Sequence, residues 1–383
     1  MDDHARHWRI RPDTTYLNHG SFGPPPESVR EAQRRWKDRL DEQPMDFFVR
    51  LLPPAWIEAR DRLGRFVGTS GENLVFVGNA TVAMNVVADS VRLGPGDEVL
   101  LNDHEYGAVV RIWERACRRA GAEPPRVVKL PGPFESAEQI EDALFAAVLP
   151  RTKMLVVSHI TSPTAVIFPV DRICARARRE GILTCIDGPH APAQVTVDID
   201  RIGCDYYCAS LHKWLSAPFG SGFVHAARKH HAAMEPAVRS WGRQLPNPTY
   251  GWADEFMWVG SYDPSPYLTV PAAIDFLEAV GLDAFRSKTH ELAQYARHRL
   301  VELTGLTPIV PDSPEWYGTM AHVPLPPGDA RELQNRLWTE HQIEVPIVAW
   351  NEGRYIRVSC HLYNDRAQID RLVDVLRPML ACR

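Results

Sequence analysis

The chain has 383 residues, of which 45% are hydrophobic and 24% charged. A chain of this length and composition is typical of a globular protein with two or three domains and a sizeable core. The net charge of −5 arises from acidic and basic residues mixed along the chain, so we expect no nucleic acid and no anionic membrane surface as a partner.

The N-terminal region is predicted to contain an extended piece at Thr15–Leu17, a turn rich in glycine and proline at Asn18–Pro26, and a helix from about Glu27 to Asp41. Beyond residue 57, short apolar runs alternate with helical patterns. The predicted strands are Leu74–Val77, Glu98–Asn102, Arg126–Lys129, Met154–His159, Leu183–Asp187, Tyr206–Ala209 and Gly222–His225, and the helices between them include Val82–Val91, Ala108–Ala120, Ser136–Leu149 and Arg172–Arg179. Such apolar strands are typical of a parallel sheet covered on both faces, so the alternation predicts a doubly wound α/β domain.

The pattern changes after about residue 265, where helical stretches give way to mixed α and β patterns. The predicted elements are Val270–Ala279, Leu282–Thr304, Tyr317–Val323, Asp329–Gln342, Arg354–Ser359 and Ala367–Leu380. These elements predict a smaller α+β domain. We expect residues 20–265 to form the large domain, and residues 1–19 and 266–383 to form the small one.

The seven cysteines are scattered and include no Cys-x-x-Cys pair. This usage predicts reduced thiols and a cytoplasmic protein rather than a disulfide scaffold. The fifteen histidines form no ligand-spaced pattern, so we expect no metal. No apolar run is long enough to span a membrane, and we expect no secretory signal.

Ligands of doubly wound proteins bind at the carboxyl ends of the strands, which makes the residues after each strand informative. Gly78-Asn79-Ala80-Thr81 lies between a strand and a helix, where backbone N–H groups can hold a phosphate, although an ordinary helix cap has the same pattern. Tyr106 follows the next strand and could stack on a flat cofactor or simply be a surface or core residue. The polar stretch Ser158–Thr164 is consistent with either a binding site or a turn.

Two charged residues at the ends of later strands suggest cofactor chemistry. Asp187 closes an apolar run, so it needs a partner if it is buried, and a protonated pyridine nitrogen would supply one. It could equally be a solvated acid that opens a turn. Lys213 lies among apolar residues in Ser210–Trp214, and desolvation would make its amine a candidate for a Schiff base. Taken alone, it could also be a surface lysine whose stem lies on apolar neighbours.

These segments occur together in one known family. The chain resembles the class V aminotransferases, which are fold-type I enzymes dependent on pyridoxal 5′-phosphate (PLP), and in particular their isopenicillin N epimerase-like branch. The similar stretches, in family order over nearly the whole chain, are Tyr16–Gly23, Gly78–Thr81, Glu105–Ala108, Ser158–Thr164, Asp187–Pro192, Ser210–Trp214, Gly260–Asp263 and Arg357–Ser359. The resemblance implies the fold-type I PLP-dependent transferase fold and a homodimer with shared active sites.

The resemblance also implies a catalytic and cofactor-binding centre. Lys213 would carry PLP as a Schiff base, and Asp187 would pair with the pyridinium nitrogen and so keep the ring an electron sink. His190 would lie near the ring hydroxyl, and Tyr106 would stack on the ring. Other cofactor-binding residues implied are Asn79, Ala80, Thr81, Thr161, Ser162, Ser210, His212 and, from the partner subunit, Ser261.

Substrate binding is implied at both ends of the chain. Arg357 would clamp the α-carboxylate of an amino acid with two hydrogen bonds, which arginine does better than lysine. Asn18 and His19 would line the substrate entrance. After Lys213 removes the α-proton, the resemblance leaves the outcome open between β-elimination with C–S cleavage of a cysteine-derived substrate and epimerisation. Transamination and decarboxylation also remain open.

Three other functions are less consistent with the sequence. A cysteine desulfurase needs a nucleophilic cysteine on the loop before Arg357, and Pro346–Gly353 contains none. A non-catalytic PLP-binding protein is expected to have lost Lys213, Asp187 or Arg357, and all three are present. A nucleotide-binding α/β protein would carry a glycine-rich phosphate loop after a strand, and neither common form of that motif occurs.

Overall fold

The structure is a computed structural model that describes residues 4–242 and 251–381. Its main sheet has seven strands in the order β2-β8-β7-β6-β5-β3-β4. These strands are β2 (Leu74–Val77), β3 (Glu98–Asn102), β4 (Arg126–Val128), β5 (Thr152–Ser158), β6 (Leu183–Asp187), β7 (Tyr206–Ser210) and β8 (Gly222–Ala226). Strand β8 is antiparallel to both of its neighbours, and the other pairs are parallel. The predicted doubly wound, mostly parallel α/β architecture is therefore confirmed.

Helices enclose this sheet, which explains why several of its strands are buried along their whole length. All residues of β2, β3, β7 and β8 are buried, because side chains on both faces of a covered sheet lie in the core. The helices of this part of the chain are α1 (Glu27–Glu42), α2 (Pro44–Asp46), α3 (Leu52–Phe66), α4 (Ala80–Ser90), α5 (Gly107–Ala120), α6 (Ala137–Ala146), α7 (Val170–Arg179), α8 (Ile199–Ile202), α9 (Asp254–Met257) and α10 (Ser265–Leu268).

A second sheet of three antiparallel strands lies in the C-terminal part of the chain, in the order β11-β12-β9. Its strands are β9 (Met320–Leu325), β11 (Ile347–Trp350) and β12 (Gly353–Ser359), and the helices here are α11 (Val270–Val280), α12 (Leu282–Thr304), α13 (Ala330–His341) and α14 (Arg366–Ala381). Strands β11 and β12 are joined by Asn351 and Glu352, whose φ angles are 44° and 64°. Two successive positive φ angles are typical of a tight hairpin turn, so residues 346–353 form a short hairpin and not an extended loop.

The N-terminal segment pairs with this C-terminal region. Strand β1 (Thr15–Tyr16) runs parallel to β10 (Ile343–Glu344), and the Ser359 N–H donates to the Leu17 carbonyl at 2.9 Å. This pairing brings the turn after residue 17 beside the end of β12. The proposed domain boundaries remain a prediction. Within the described ranges, no helix combines the length and the apolar character that crossing a bilayer requires.

Candidate active site

A cavity of about 360 Å³ lies where the predicted site residues converge, at the carboxyl ends of the parallel strands. Asp187 is the last residue of β6 and Ser210 the last of β7, while α4 and α5 begin directly beside them. The predicted residues that line the cavity are Asn79, Ala80, Thr81, Tyr106, Ser162, Asp187, Ser210, His212, Lys213 and Arg357. Segments that are far apart in sequence therefore meet at one site, as expected for a doubly wound sheet.

One end of the cavity is suited to an anion. The Asn79 side chain caps α4 by accepting from the Val82 N–H at 3.0 Å, and the Ala80 N–H donates to the Ser210 hydroxyl at 2.8 Å. Nδ1 of His212 is buried and has no hydrogen-bond partner among the described residues. The positive end of a helix, together with a hydroxyl and a free ring nitrogen, is a site that a phosphate group would complete.

The centre of the cavity holds a buried acid and a buried amine. Asp187 is only 4% exposed, and burial raises the pKa of its carboxyl to about 7, against the opposing effect of Lys213. Burial, with a smaller contribution from Arg357, lowers the pKa of the Lys213 amine to about 7, although Asp187 opposes this. A cationic ring nitrogen would stabilise the Asp187 carboxylate, and a lysine that is largely neutral above pH 7 is nucleophilic.

His190 lies behind this pair and is held in one orientation. Its Nε2 is 3.0 Å from the Lys213 amine, and its Nδ1 accepts from the Trp214 indole N–H at 3.3 Å. Burial keeps the pKa of His190 well below its usual range, so the ring is neutral. Because Nδ1 is the acceptor, the single proton is on Nε2, which faces the Lys213 amine. Trp214 therefore positions His190, a role that the sequence pattern does not reveal.

The other end of the cavity contains a buried cation without a counter-ion. Arg357, on β12, is 5% exposed. Its guanidinium donates to the Ser21 hydroxyl at 2.9 Å and to the Ser162 carbonyl, while its Nε is buried without a partner. Burial lowers the pKa of Arg357 to about 10, and no carboxylate in the described chain forms an ion pair with it. Burying an unpaired charge is costly, so this site favours binding of an anion such as an amino-acid carboxylate.

Tyr106 lines the cavity at the start of α5, and the hydrogen bonds of its neighbour Glu105 hold this segment in place. The Tyr106 side chain is 51% exposed, which leaves a ring face available for stacking. The preceding residue, Glu105, is buried and accepts hydrogen bonds from Asn102 Nδ2 at 2.6 Å and from Ser158 N and Oγ at 2.9 Å and 2.7 Å. These bonds tie the start of α5 to β3 and β5. Glu105 and Ser21 are both missing from the sequence-based predictions of site residues, although both lie within the stretches that resemble the family.

Some predicted residues lie outside this cavity. His19 is fully buried, with Nδ1 2.9 Å from the Tyr363 hydroxyl and Nε2 3.0 Å from the Lys213 carbonyl. This placement differs from the expected one at the substrate entrance, because the turn after residue 17 directs the ring behind Lys213. The Thr161 hydroxyl is 2.6 Å from Thr164 Oγ1 and accepts from the Val166 N–H at 2.8 Å. Its hydrogen bonds therefore stabilise the local turn at residues 161–166. Ser261 is exposed in the single chain, and its role at a partner subunit remains a prediction.

The low pKa of Lys213 predicts an unusual pH dependence for cofactor attachment. Only the neutral amine reacts, so the rate at which borohydride-fixed PLP accumulates on the apoprotein should rise with pH through about 7. Replacing Arg357 with Gln removes a positive charge that lowers this pKa, so the midpoint should move to higher pH. Arg354→Gln on the same strand is the control. A midpoint near the ordinary lysine value, unchanged in Arg357→Gln, would contradict this interpretation.

Comparison with known proteins identifies the family. The model of the class-V aminotransferases matches residues 54–372. The chain belongs to this family. It is 39% identical to an isopenicillin N epimerase from Amycolatopsis lactamdurans, over 97% of this chain and 96% of that protein. It is 27% identical to an L-cysteine desulfhydrase from Arabidopsis thaliana, over 95% of this chain and 87% of that protein.

A solved structure shares the fold. The complex of a cystine C–S lyase with its product cysteine persulfide matches with a TM-score of 0.83, at 20% identity, over 96% of this chain and 98% of that chain. Membership of the class-V aminotransferases makes the protein a PLP-dependent enzyme, and the structural match shows that its fold is that of fold type I. The anion cradle at α4, the buried Asp187 and the buried amine of Lys213 fit that cofactor. Among the described residues, no group of three or more metal-ligating side chains is clustered.

Proposed function

We propose that the protein is a PLP-dependent C–S lyase that eliminates a thiol from the β-carbon of a cysteine-derived L-amino acid. The observation that carries this proposal is that the cavity supplies one suitable base. Of the titratable side chains that line it, Asp187 and His212 are suited to the cofactor and Arg357 to the substrate carboxylate. The Tyr106 ring, which also lines the cavity, is exposed and suited to stacking on the cofactor. Lys213 is then the group that can remove the α-proton, and β-elimination needs a base for this step only.

The bound cofactor supplies an electron sink conjugated to the α-carbon. Arg357 binds the α-carboxylate and orients the substrate so that its α-C–H bond faces Lys213. The neutral Lys213 amine takes the α-proton, and the C–S bond breaks with its electron pair leaving on sulfur. The products after hydrolysis are a thiol, pyruvate and ammonia, so no oxidant or reductant is required.

Epimerisation is the second candidate, and the 39% identity to an isopenicillin N epimerase over nearly the full length favours it. That reaction must return a proton to the opposite face of the α-carbon, which requires a second acid. The Tyr106 phenol is the remaining titratable group on the cavity wall. Under this alternative Tyr106 would donate the proton rather than only stack on the cofactor.

A persulfide-forming desulfurase is a poorer fit. Six cysteines are described, and all are buried free thiols. Burial raises the pKa of the nearest one to Arg357 in sequence, Cys360, which makes its thiol a weak nucleophile. The hairpin at residues 346–353, where a desulfurase would carry its mobile cysteine, has none. Cys382 lies outside the described residues.

A substrate panel separates these functions. The holoenzyme is incubated with L-amino acids and cysteine S-conjugates, and pyruvate, D-isomers and keto acids other than pyruvate are quantified. We expect equal amounts of thiol and pyruvate from S-conjugates, and none from the Lys213→Ala variant. Formation of D-isomers without pyruvate would replace this proposal with the epimerase. Stoichiometric loss of the amino group to the cofactor, with formation of the corresponding keto acid, would indicate transamination.

We also propose a cytoplasmic homodimer in which Ser261 of the partner subunit completes the phosphate site; the unpaired thiols and the exposure of Ser261 support this. Ser261→Ala should weaken PLP binding by roughly 10- to 100-fold, because a hydrogen bond to a charged group contributes about 1.5–3 kcal/mol. Ser287→Ala, on the exposed face of α12, is the control. Sedimentation should give a dimer at working concentration, and a fully active monomer would contradict the proposal.

A further inference from the structure

A second cavity, larger than the first, lies beside the candidate active site. It has a volume of about 690 Å³, which is within the usual range for small-molecule sites. Ser21 and Phe22 line both cavities, so the two share a wall. The same Ser21 hydroxyl receives the hydrogen bond from Arg357. The larger cavity therefore begins next to the point where a substrate carboxylate would be anchored.

The wall of this cavity is mostly apolar and aromatic. Tyr16, Phe22, Phe219 and Trp338 contribute rings, with Ile10 and two prolines beside them. Phe22 and Phe219 are 64% and 51% exposed, with ring centroids 6.5 Å apart. The Tyr16 hydroxyl donates to the Phe22 carbonyl at 2.5 Å and holds the shared wall in place. Such a lining favours a ligand with an extended apolar body.

One carboxylate in the cavity favours a ligand with a hydrogen-bond donor. Glu344 lines it, accepts a hydrogen bond from Asn18 Nδ2 at 3.0 Å, and has no ion-pair partner within the described ranges. Arg11 also lines the cavity, but its guanidinium is engaged by Asp13 at 2.5 Å. A ligand group that donates N–H would therefore be stabilised at Glu344.

We propose that this cavity binds the side chain of the substrate, and that the substrate is an α-amino acid whose sulfur substituent is bulky, largely apolar and equipped with an N–H donor, rather than free cysteine. The presence of sulfur in the substrate rests on the proposed C–S lyase function. The placement of the substrate side chain in this cavity rests on the shared wall at Ser21 and Phe22 and on the carboxylate of Glu344, which forms no ion pair within the described ranges. A free cysteine would leave the larger cavity unused.

The test compares ligands that bind without reacting. Two carba analogues have a methylene in place of sulfur, so neither can undergo C–S cleavage: 2-amino-5-(4-aminophenyl)pentanoate is bulky, and norvaline is small. Calorimetry on the wild-type holoenzyme should give a Kd for the bulky analogue at least about tenfold below that for norvaline, because the aryl group buries apolar area. Equal affinities would overturn the inference.

Two variants locate the effect. Trp338→Ala should reduce the ratio of the two affinities by about tenfold, since it removes an aromatic wall, and Glu344→Gln should reduce it several-fold by removing the charge. The matched controls Thr339→Ala and Glu340→Gln lie on the exposed face of α13 and should keep the wild-type ratio. If Trp338→Ala does not fold, Glu344→Gln still decides, and an unchanged ratio in either folded variant contradicts the proposal.

The outcome also separates this inference from the proposed function. A high affinity ratio that falls in both variants, without thiol release from the corresponding S-conjugates, would uphold the side-chain cavity and reject the C–S lyase. Thiol release from small and bulky S-conjugates with equal kcat/KM would uphold the lyase and reject the cavity assignment. Equal affinities for the two analogues, together with a dimer in which the partner chain fills the cavity, would likewise reject the cavity assignment.

Discussion

Replacing Lys213 with alanine is expected to reduce turnover by on the order of 10²–10⁴-fold or more, because one side chain supplies both the covalent attachment of the cofactor and the base. The amine lines the cavity with a pKa lowered to about 7, so it is suited to both tasks. The measurement pairs kcat on an S-conjugate with mass spectrometry of the borohydride-treated protein. Wild type should carry reduced PLP on the peptide that contains Lys213, and the variant should carry none.

The control for this experiment is Lys153→Ala. Lys153 is an exposed lysine on β5, outside the cavity, so its loss should change neither turnover nor labelling. The proposal that Lys213 holds the cofactor would be rejected by a Lys213→Ala protein that is still labelled with wild-type stoichiometry. Retained labelling in Lys213→Ala together with lost labelling in Lys153→Ala would reassign the attachment point.

The Arg357→Lys variant is expected to keep the cofactor but to lose roughly 10- to 100-fold in kcat/KM, because a charged two-point hydrogen bond contributes about 1.5–3 kcal/mol. Lysine retains the positive charge but not the planar fork that fixes the carboxylate and thereby the α-C–H bond. The loss should appear in both KM and kcat, since misorientation slows proton removal. Steady-state kinetics on a substrate with a free α-carboxylate measures it.

Arg354→Lys provides the matched comparison. Arg354 lies on the same strand, but its guanidinium donates to the carbonyls of Pro326 and Asp329, away from the cavity. Wild-type kcat/KM is expected for this variant. The carboxylate role of Arg357 fails if Arg357→Lys is as active as wild type. It fails equally if Arg357→Lys loses the bound cofactor, which would assign the residue to cofactor binding or to folding.

Local sequence determined several elements of the fold with their observed bounds. Strands Leu74–Val77, Glu98–Asn102 and Leu183–Asp187 are found as predicted, because a short apolar run between turn residues has few other ways to bury its side chains. Helix α3 is absent from the elements predicted from the sequence, and Pro53 and Pro54 lie in its first turn. Proline is tolerated in the first turn of a helix, where its missing N–H has no intrahelical partner. The antiparallel direction of β8 is also not encoded in its apolar pattern.

The residue types of the site were likewise accessible from sequence, since Asp187, Ser210 and Lys213 each lie at or just after the end of a strand, where this fold binds its ligands. Only the tertiary structure decided what surrounds them. The Ser21 bond to Arg357 joins residues 336 positions apart, and Asn18 reaches Glu344 over 326 positions. The indole of Trp214 fixes the proton of His190, and His19 lies behind Lys213. Such contacts depend on how distant segments pack, and no periodicity along the chain records that packing.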